Sequence, residues 1–243
     1  MSEYLLYYWP GLPGRGEFVR LVLADGRADW TDVELDGPPE DAPELEDILQ
    51  DATLHHAPFA PPFLQHGKAL IAQTPLICDY LGQRLDLSPD YEVERRFALQ
   101  CALTVADLAA EAHDVHHPIS AALFYEDQKQ AALKAADLFR AQRIPKFLAW
   151  FEQVLANNPH GAGRLAGDRI SHADIALAHC IEGLEYAFPN AMAAALGEAE
   201  RVGALTRAVM ERPNIAAYRG SDRRQDFNTD GVFRHYPELD PAP

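Results

Sequence analysis

A chain of 243 residues, 48% of them hydrophobic, carries enough apolar material for one large domain or two small ones without crosslinks. Its formal charge of -16 argues against nucleic acid and anionic membrane surfaces as partners, because phosphate binding needs clustered Lys and Arg. Cys78, Cys101 and Cys180 are odd in number and far apart, which fits a reducing cytoplasm better than a disulfide framework, and no apolar run approaches the roughly 20 residues of a spanning helix.

The stretch from Tyr4 to Leu21 organises the rest. An aromatic, apolar run of strand length, Tyr4 to Trp9, stops at the turn Pro10-Gly11-Leu12-Pro13-Gly14, and from Glu17 onward Phe18, Leu21 and Val22 return at helical spacing. This predicts a strand, a tight loop and a helix start, with Tyr8 beside the helix's unpaired N–H groups, where an anionic group could be held. Taken alone, the same stretch reads better as a corner that packs aromatics into a core.

Further along, Trp30 to Leu35 alternates like a short strand after a helix stop at Gly26. Residues 36–51 are acidic and interrupted by prolines, with one helical turn expected around Leu45 to Leu49. The run Pro58 to Leu64 leads into a strand, a turn at Gln65 to Lys68 and a second strand from Ala69 to Ile71, a β-hairpin. From Thr74 the apolar spacing is helical, with Thr74 as N-cap and Pro75 at the first helical position. Residues 1–82 thus read βαβ then ββα. Residues 83–90 read as a linker, and 91–218, Ala- and Leu-rich with Leu99, Leu103, Ala106 and Ala110 at helical spacing, as a helical bundle. The extension 219–243 carries Phe227, Phe233, His235 and Tyr236, and is expected to wrap back over the N-terminal domain or close a pocket.

Four separated features make the chain resemble the cytosolic glutathione S-transferase family, tyrosine type. Tyr8-Trp9 followed by Gly14-Arg15-Gly16-Glu17 is similar to that family's first strand and loop, and Pro62 precedes the hairpin as its cis-proline does. Gln73-Thr74 stands where the family has Gln-Ser at a helix start, and Ser171-His172-Ala173-Asp174 resembles its capping box. The resemblance implies an α/β thioredoxin-like N-terminal domain plus an all-α C-terminal helical bundle, and a homodimer in the cytoplasm. It also implies glutathione as co-substrate and conjugation of its thiolate to a hydrophobic electrophile, with no metal. Two alternatives stay open: glutathione-dependent peroxide reduction or isomerisation, and a non-catalytic thiol-binding or dimerisation module.

On this resemblance Tyr8 is the catalytic residue, its hydroxyl stabilising the thiolate. Tyr7 is its rival, but neighbouring strand residues point to opposite faces, so only one can serve. Gln73 and Thr74 are expected to receive the γ-glutamyl end, Trp9, His55 or His56 to contribute near the glycyl end, and the Pro61–Pro62 edge to meet the cysteinyl part. Asp107, in an Ala-Asp-Leu context, is expected to reach the ligand of the neighbouring subunit; the competing reading is an exposed or salt-bridged acid. Leu12, Ala110, His113 and His117 are expected to line the electrophile pocket.

The chain departs from the family in two places. Pro61 has no N–H, so one backbone hydrogen bond to the ligand is lost and only its carbonyl can accept. No Lys or Arg lies between Arg27 and Lys68, where the charged residues are acids such as Asp36, Glu40, Asp41, Glu44 and Asp47. Either glutathione binds weakly, or the preferred thiol has a cationic tail, or the loop is simply a solvated acidic surface. His113 with either His116 or His117 could present two ligands on one helical face, but no third and fourth ligands match them, so pocket lining or a helix end before Pro118 is the expectation rather than a metal site.

Overall fold

The computed structural model describes residues 3–40 and 42–242; Asp41 of the acidic loop lies outside the described residues. Strand β1 (Tyr4–Tyr7) is central: β2 (Trp30–Asp32) pairs parallel on one side, and β3 (Phe63–His66) antiparallel on the other. Strand β4 (Ala69–Ala72) completes the hairpin, giving the order β2-β1-β3-β4. Period-two alternation splits the side chains between two layers. Tyr4, Leu6 and Leu64 enter the main core with α1 (Gly16–Asp25) and α4 (Thr74–Gly82), while Leu5, Tyr7 and Phe63 pack on the opposite face with Val33, Leu45 and Ile48. Two short helices cover that second face, α2 (Val33–Asp36) and α3 (Leu45–Gln50).

Two local expectations are corrected. Instead of a strand over Trp30 to Leu35, pairing stops at Asp32 and α2 begins, because the Asp36 carboxylate accepts the Asp32 N–H at 2.9 Å and bends the chain into a turn. Thr74 is the first residue of α4 rather than its N-cap. Gln73 takes that place with φ of 73°, and no side chain caps the helix, which leaves the buried Thr74 Oγ1 without a hydrogen-bond partner.

The second domain is helical: α5 (Glu92–His116), α6 (Tyr125–Leu138), α7 (Ile144–Asn157), α8 (His172–Ala187), α9 (Pro189–Gly197), α10 (Glu200–Met210) and α11 (Pro213–Arg219). A π-helical turn, Phe139–Arg143, joins α6 to α7. Helix α8 is its axis, buried along most of its length. It opens on a capping box in which Asp174 accepts the Ser171 N–H and hydroxyl, both at 2.7 Å. Apolar side chains of both domains form one continuous core.

Buried charges also cross that boundary. Arg20 of α1 bonds Asp32 at 2.6 Å, and neighbouring Glu17 accepts from Tyr218 of α11 at 3.1 Å and pairs with Arg224 at 2.6 Å. The extension binds mainly the helical domain. Tyr236 stacks on Tyr125 at 3.8 Å, Phe233 lies against α8 where a Cβ on Gly183 would overlap its ring, and Asp240 accepts the Asn190 N–H at the start of α9 at 2.6 Å. It also reaches the first domain: Arg223 sits over Trp30 and pairs with Asp36, and Asn228 donates to the Gly11 carbonyl at 2.9 Å.

Candidate active site

The β1–α1 corner places the two tyrosines in different surroundings. Tyr7 faces the second layer, stacked on Phe63 at 4.8 Å, with its hydroxyl donating to the Pro43 carbonyl at 3.2 Å. Burial, then Glu34 and Glu44, push its phenol up to about 12. Tyr8 turns toward the loop, and its hydroxyl oxygen accepts the Arg15 N–H at 2.9 Å. Two glycines admit its ring: a Cβ on Gly14 or Gly16 would overlap it, and Gly14 also sits at φ of 43°. Burial raises the Tyr8 phenol above its ordinary value against the pull of the Arg15 N–H and the charges of Arg15 and Arg20. A phenol raised in this way keeps its proton at neutral pH and can donate it. Among the described residues that proton has no hydrogen-bond acceptor.

Arg15 links this corner to a cavity. Its backbone holds the Tyr8 oxygen, and its side chain lines a cavity of about 300 Å³ with Phe59, Ala60, Pro61, Pro62, Gln73 and Thr74. The Pro61–Pro62 peptide is cis. A smaller cavity of about 90 Å³ continues from Arg15, Gln73 and Thr74 between the domains, walled by Phe18, Pro75 and Cys78 and by Ala102, Val105, Ala106, Ala109 and Ala176. Arg15, Gln73 and Thr74, the last two at the N-terminus of α4, line both cavities, and the buried Thr74 hydroxyl has no hydrogen-bond partner among the described residues. That combination suits a carboxylate.

The structure therefore brings together Pro61, Pro62, Gln73 and Thr74, with Tyr8 joined to them through Arg15. Trp9 is exposed on the loop, and Asp107 is exposed on α5, away from the lining of both cavities. Leu12 is tied in through its carbonyl, which accepts from Arg20 at 3.0 Å. His113, His116 and His117 cluster at the end of α5 with ring centroids 4.8 to 5.2 Å apart; Ala110 lies one turn earlier, half-buried. Among the described residues no group of three or more His, Cys, Asp or Glu side chains is arranged to hold a metal. No described helix is long and apolar enough to cross a membrane.

Sequence reasoning missed Arg15, Phe59 and Arg20. A usable signal existed for Arg15, the one cation in the Pro/Gly turn just ahead of a helix. None existed for Phe59, an exposed residue just ahead of Pro61 that lines the same cavity.

Comparison with known proteins decides the family. A family model described as glutathione S-transferase, C-terminal domain, matches residues 113–222. Glutathione S-transferase P 2 of Bufo bufo is 30% identical over 173 residues, covering 71% of this chain and 73% of that protein. The chain belongs to the glutathione S-transferase family. Glutathione S-transferase P 1 of Xenopus laevis is 27% identical over 229 residues, or 92% of this chain and 95% of the relative. Among solved structures, the Pi-class glutathione S-transferase of Onchocerca volvulus matches with a TM-score of 0.67 and 23% identity over 89% of this chain and 91% of its own. Prostaglandin synthase D of Nilaparvata lugens matches with a TM-score of 0.67 and 19% identity over 90% and 98%. The thioredoxin-like sheet followed by a helical bundle is thus the glutathione S-transferase fold.

Proposed function

We propose that this glutathione S-transferase is a cytoplasmic enzyme that conjugates the glutathione thiolate to a hydrophobic electrophile, with the Tyr8 hydroxyl donating a hydrogen bond to the sulfur. The observation that carries the reading is Arg15, which orients the Tyr8 oxygen through its N–H and lines the cis-proline cavity with its side chain. In this reading Thr74 Oγ1, Gln73 and the N-terminus of α4 receive the γ-glutamyl carboxylate, and the Pro61 carbonyl accepts the cysteinyl N–H. The sulfur's lone pair forms the new bond, the leaving group departs with the electrons of the bond that breaks, and the thiol proton passes to solvent.

A second copy is proposed to cover the exposed stripe of α5 on which Leu103 and Asp107 stand one turn apart; with such a partner Asp107 would face the neighbouring site. Calorimetric titration with glutathione, followed by turnover of a neutral aryl chloride, tests the enzyme reading. Saturable binding and conjugation are expected. A protein that binds no glutathione would overturn the proposal in favour of a non-catalytic module.

A further inference from the structure

The extension meets the loop at the rim of the site. Asn228 donates to the Gly11 carbonyl at 2.9 Å, and a Cβ on Gly231 would lie 4.0 Å from Pro13, so residues 228–231 rest on the loop that carries Tyr8 and Arg15. The next residue, Val232, bonds the end of α5: its carbonyl lies 3.0 Å from His116 Nε2. Arg234 follows, half-buried, and curls back so that Nε donates to the Gly231 carbonyl at 2.9 Å and Nη2 to the Asp230 carbonyl at 3.0 Å. These acceptors are neutral. Among the described residues neither Arg234 nor Arg15 pairs with a carboxylate; Asp114, the nearest acid on α5, faces solvent beside His113 at 3.2 Å.

The histidines between these arginines record both charges. Burial holds His113 below its ordinary value against the pull of its hydrogen bond with Asp114, and Arg15 and His117 lower it further. Burial first, then Arg234 and the neighbouring histidines, push His116 down to about 3, and burial followed by Arg234 also lowers His117. A neutral histidine cluster beside Arg234, whose guanidinium has no carboxylate partner among the described residues, gives the rim a local positive charge, offset in part by Asp114 at His113, on a chain of net charge -16. Such a rim attracts an anion at short range, where a guanidinium can offer a forked pair of donors, while the distributed negative charge acts only over screened distances.

We propose that Arg234, delivered by the C-terminal extension to the His113–His117 side of the site, makes this enzyme prefer electrophiles that carry a carboxylate or similar anionic group. The inference rests on the transferase reading and adds the substrate class. It assigns Arg234 as a specificity residue: its charge acts on a substituent away from the reacting carbon, so it changes the choice between electrophiles rather than the ionisation of the thiol.

The test compares a neutral dinitroaryl chloride with the same compound bearing a ring carboxylate, as a ratio of kcat/KM values at fixed glutathione. In the wild type the ratio should favour the carboxylated compound and fall as salt is raised. In Arg234→Gln it should drop about two- to fivefold, and Arg234→Lys should recover part of it. The pH dependence of the neutral reaction should keep its midpoint in both variants. An unchanged ratio in Arg234→Gln, or a wild-type ratio indifferent to salt, would overturn the inference while leaving the transferase reading intact. A wild-type protein that conjugates neither compound would remove both.

Discussion

Replacing Tyr8 by Phe removes one oxygen and tests the central chemical step. In the structure that oxygen is already fixed by the Arg15 N–H at 2.9 Å, so its proton is left for the ligand. A hydrogen bond to a charged partner contributes about 1.5–3 kcal/mol, and at ~1.36 kcal/mol per unit the bound thiol becomes more acidic by about one to two units. From an ordinary thiol near ~8.5, that shift moves the sulfur from a few per cent thiolate at neutral pH to a major fraction. Conjugation by Tyr8→Phe should therefore fall roughly ten- to thirtyfold at neutral pH and recover as pH rises past the free thiol's value. Ultraviolet absorbance of the thiolate, titrated in the glutathione complex of each protein, reads the shift directly. The variant also leaves the Arg15 N–H without its acceptor, a stability cost of about 1 kcal/mol, so binding affinity must be measured beside the titration. Tyr7→Phe is the matched control, because that hydroxyl lies on the other face of the sheet. Equal thiol acidity in wild type and Tyr8→Phe, or a shift in Tyr7→Phe instead, would refute the assignment.

Gly16→Ala should displace the Tyr8 ring, since its new Cβ would overlap the ring carbons; we expect about 1–3 kcal/mol of destabilisation, read by urea unfolding, and a rise in the thiol's apparent pKa toward the Tyr8→Phe value. Arg20→Met strands the fully buried Asp32 carboxylate and should cost about 3–5 kcal/mol, whereas Arg20→Met combined with Asp32→Leu should regain most of it in the same unfolding assay. His116 is buried with its folded value pushed below the unfolded one to about 3. Its contribution is therefore complete above about pH 6.5 and is lost progressively as pH falls from there toward about 3, with a limiting slope of about 1.36 kcal/mol per pH unit. The midpoint of thermal unfolding should fall less steeply over that window in His116→Gln than in wild type.

Local pattern made the frame of the fold legible. The aromatic run ending in a Pro/Gly turn, the hairpin around Gly67 and the Ser171–Asp174 capping box each state their geometry in a few adjacent residues, and all three stand in the structure. Cases that depend on a side chain reaching back along the chain were misread. Alternation from Trp30 to Leu35 suits a strand, but it does not encode the Asp36 carboxylate that takes the Asp32 N–H. Thr74 has the chemistry of an N-cap, yet the positive φ of Gln73 moves the helix boundary one residue earlier and leaves the Thr74 hydroxyl without a partner. Long-range placement was illegible for a different reason. Nothing near Phe233 announces that Gly183, 50 residues earlier, leaves a face of α8 bare to receive it, and nothing near Arg234 announces the end of α5.

The buried charges explain how such distant pieces keep one arrangement around the site. A hydrophobic substitute for Arg20, Asp32 and Glu17 would avoid several kcal/mol of desolvation per ion, so stability alone does not account for their burial. Their directional bonds do. One Arg20 guanidinium holds Asp32 in β2 together with the Leu12 and Pro13 carbonyls, which fixes the loop between Tyr8 and Arg15 against the sheet. Its neighbour Glu17 carries the same network to Tyr218 and Arg224, and Arg224 continues to Glu182 on α8. An apolar core tolerates small slides because dispersion has no preferred direction, whereas hydrogen-bonded ions lose their compensation once the geometry drifts. Through these ions the loop presenting Tyr8, the axis of the helical domain and the root of the extension share one register. The same contacts that hold the thiol's hydrogen-bond donor in place therefore also set where Arg234 stands.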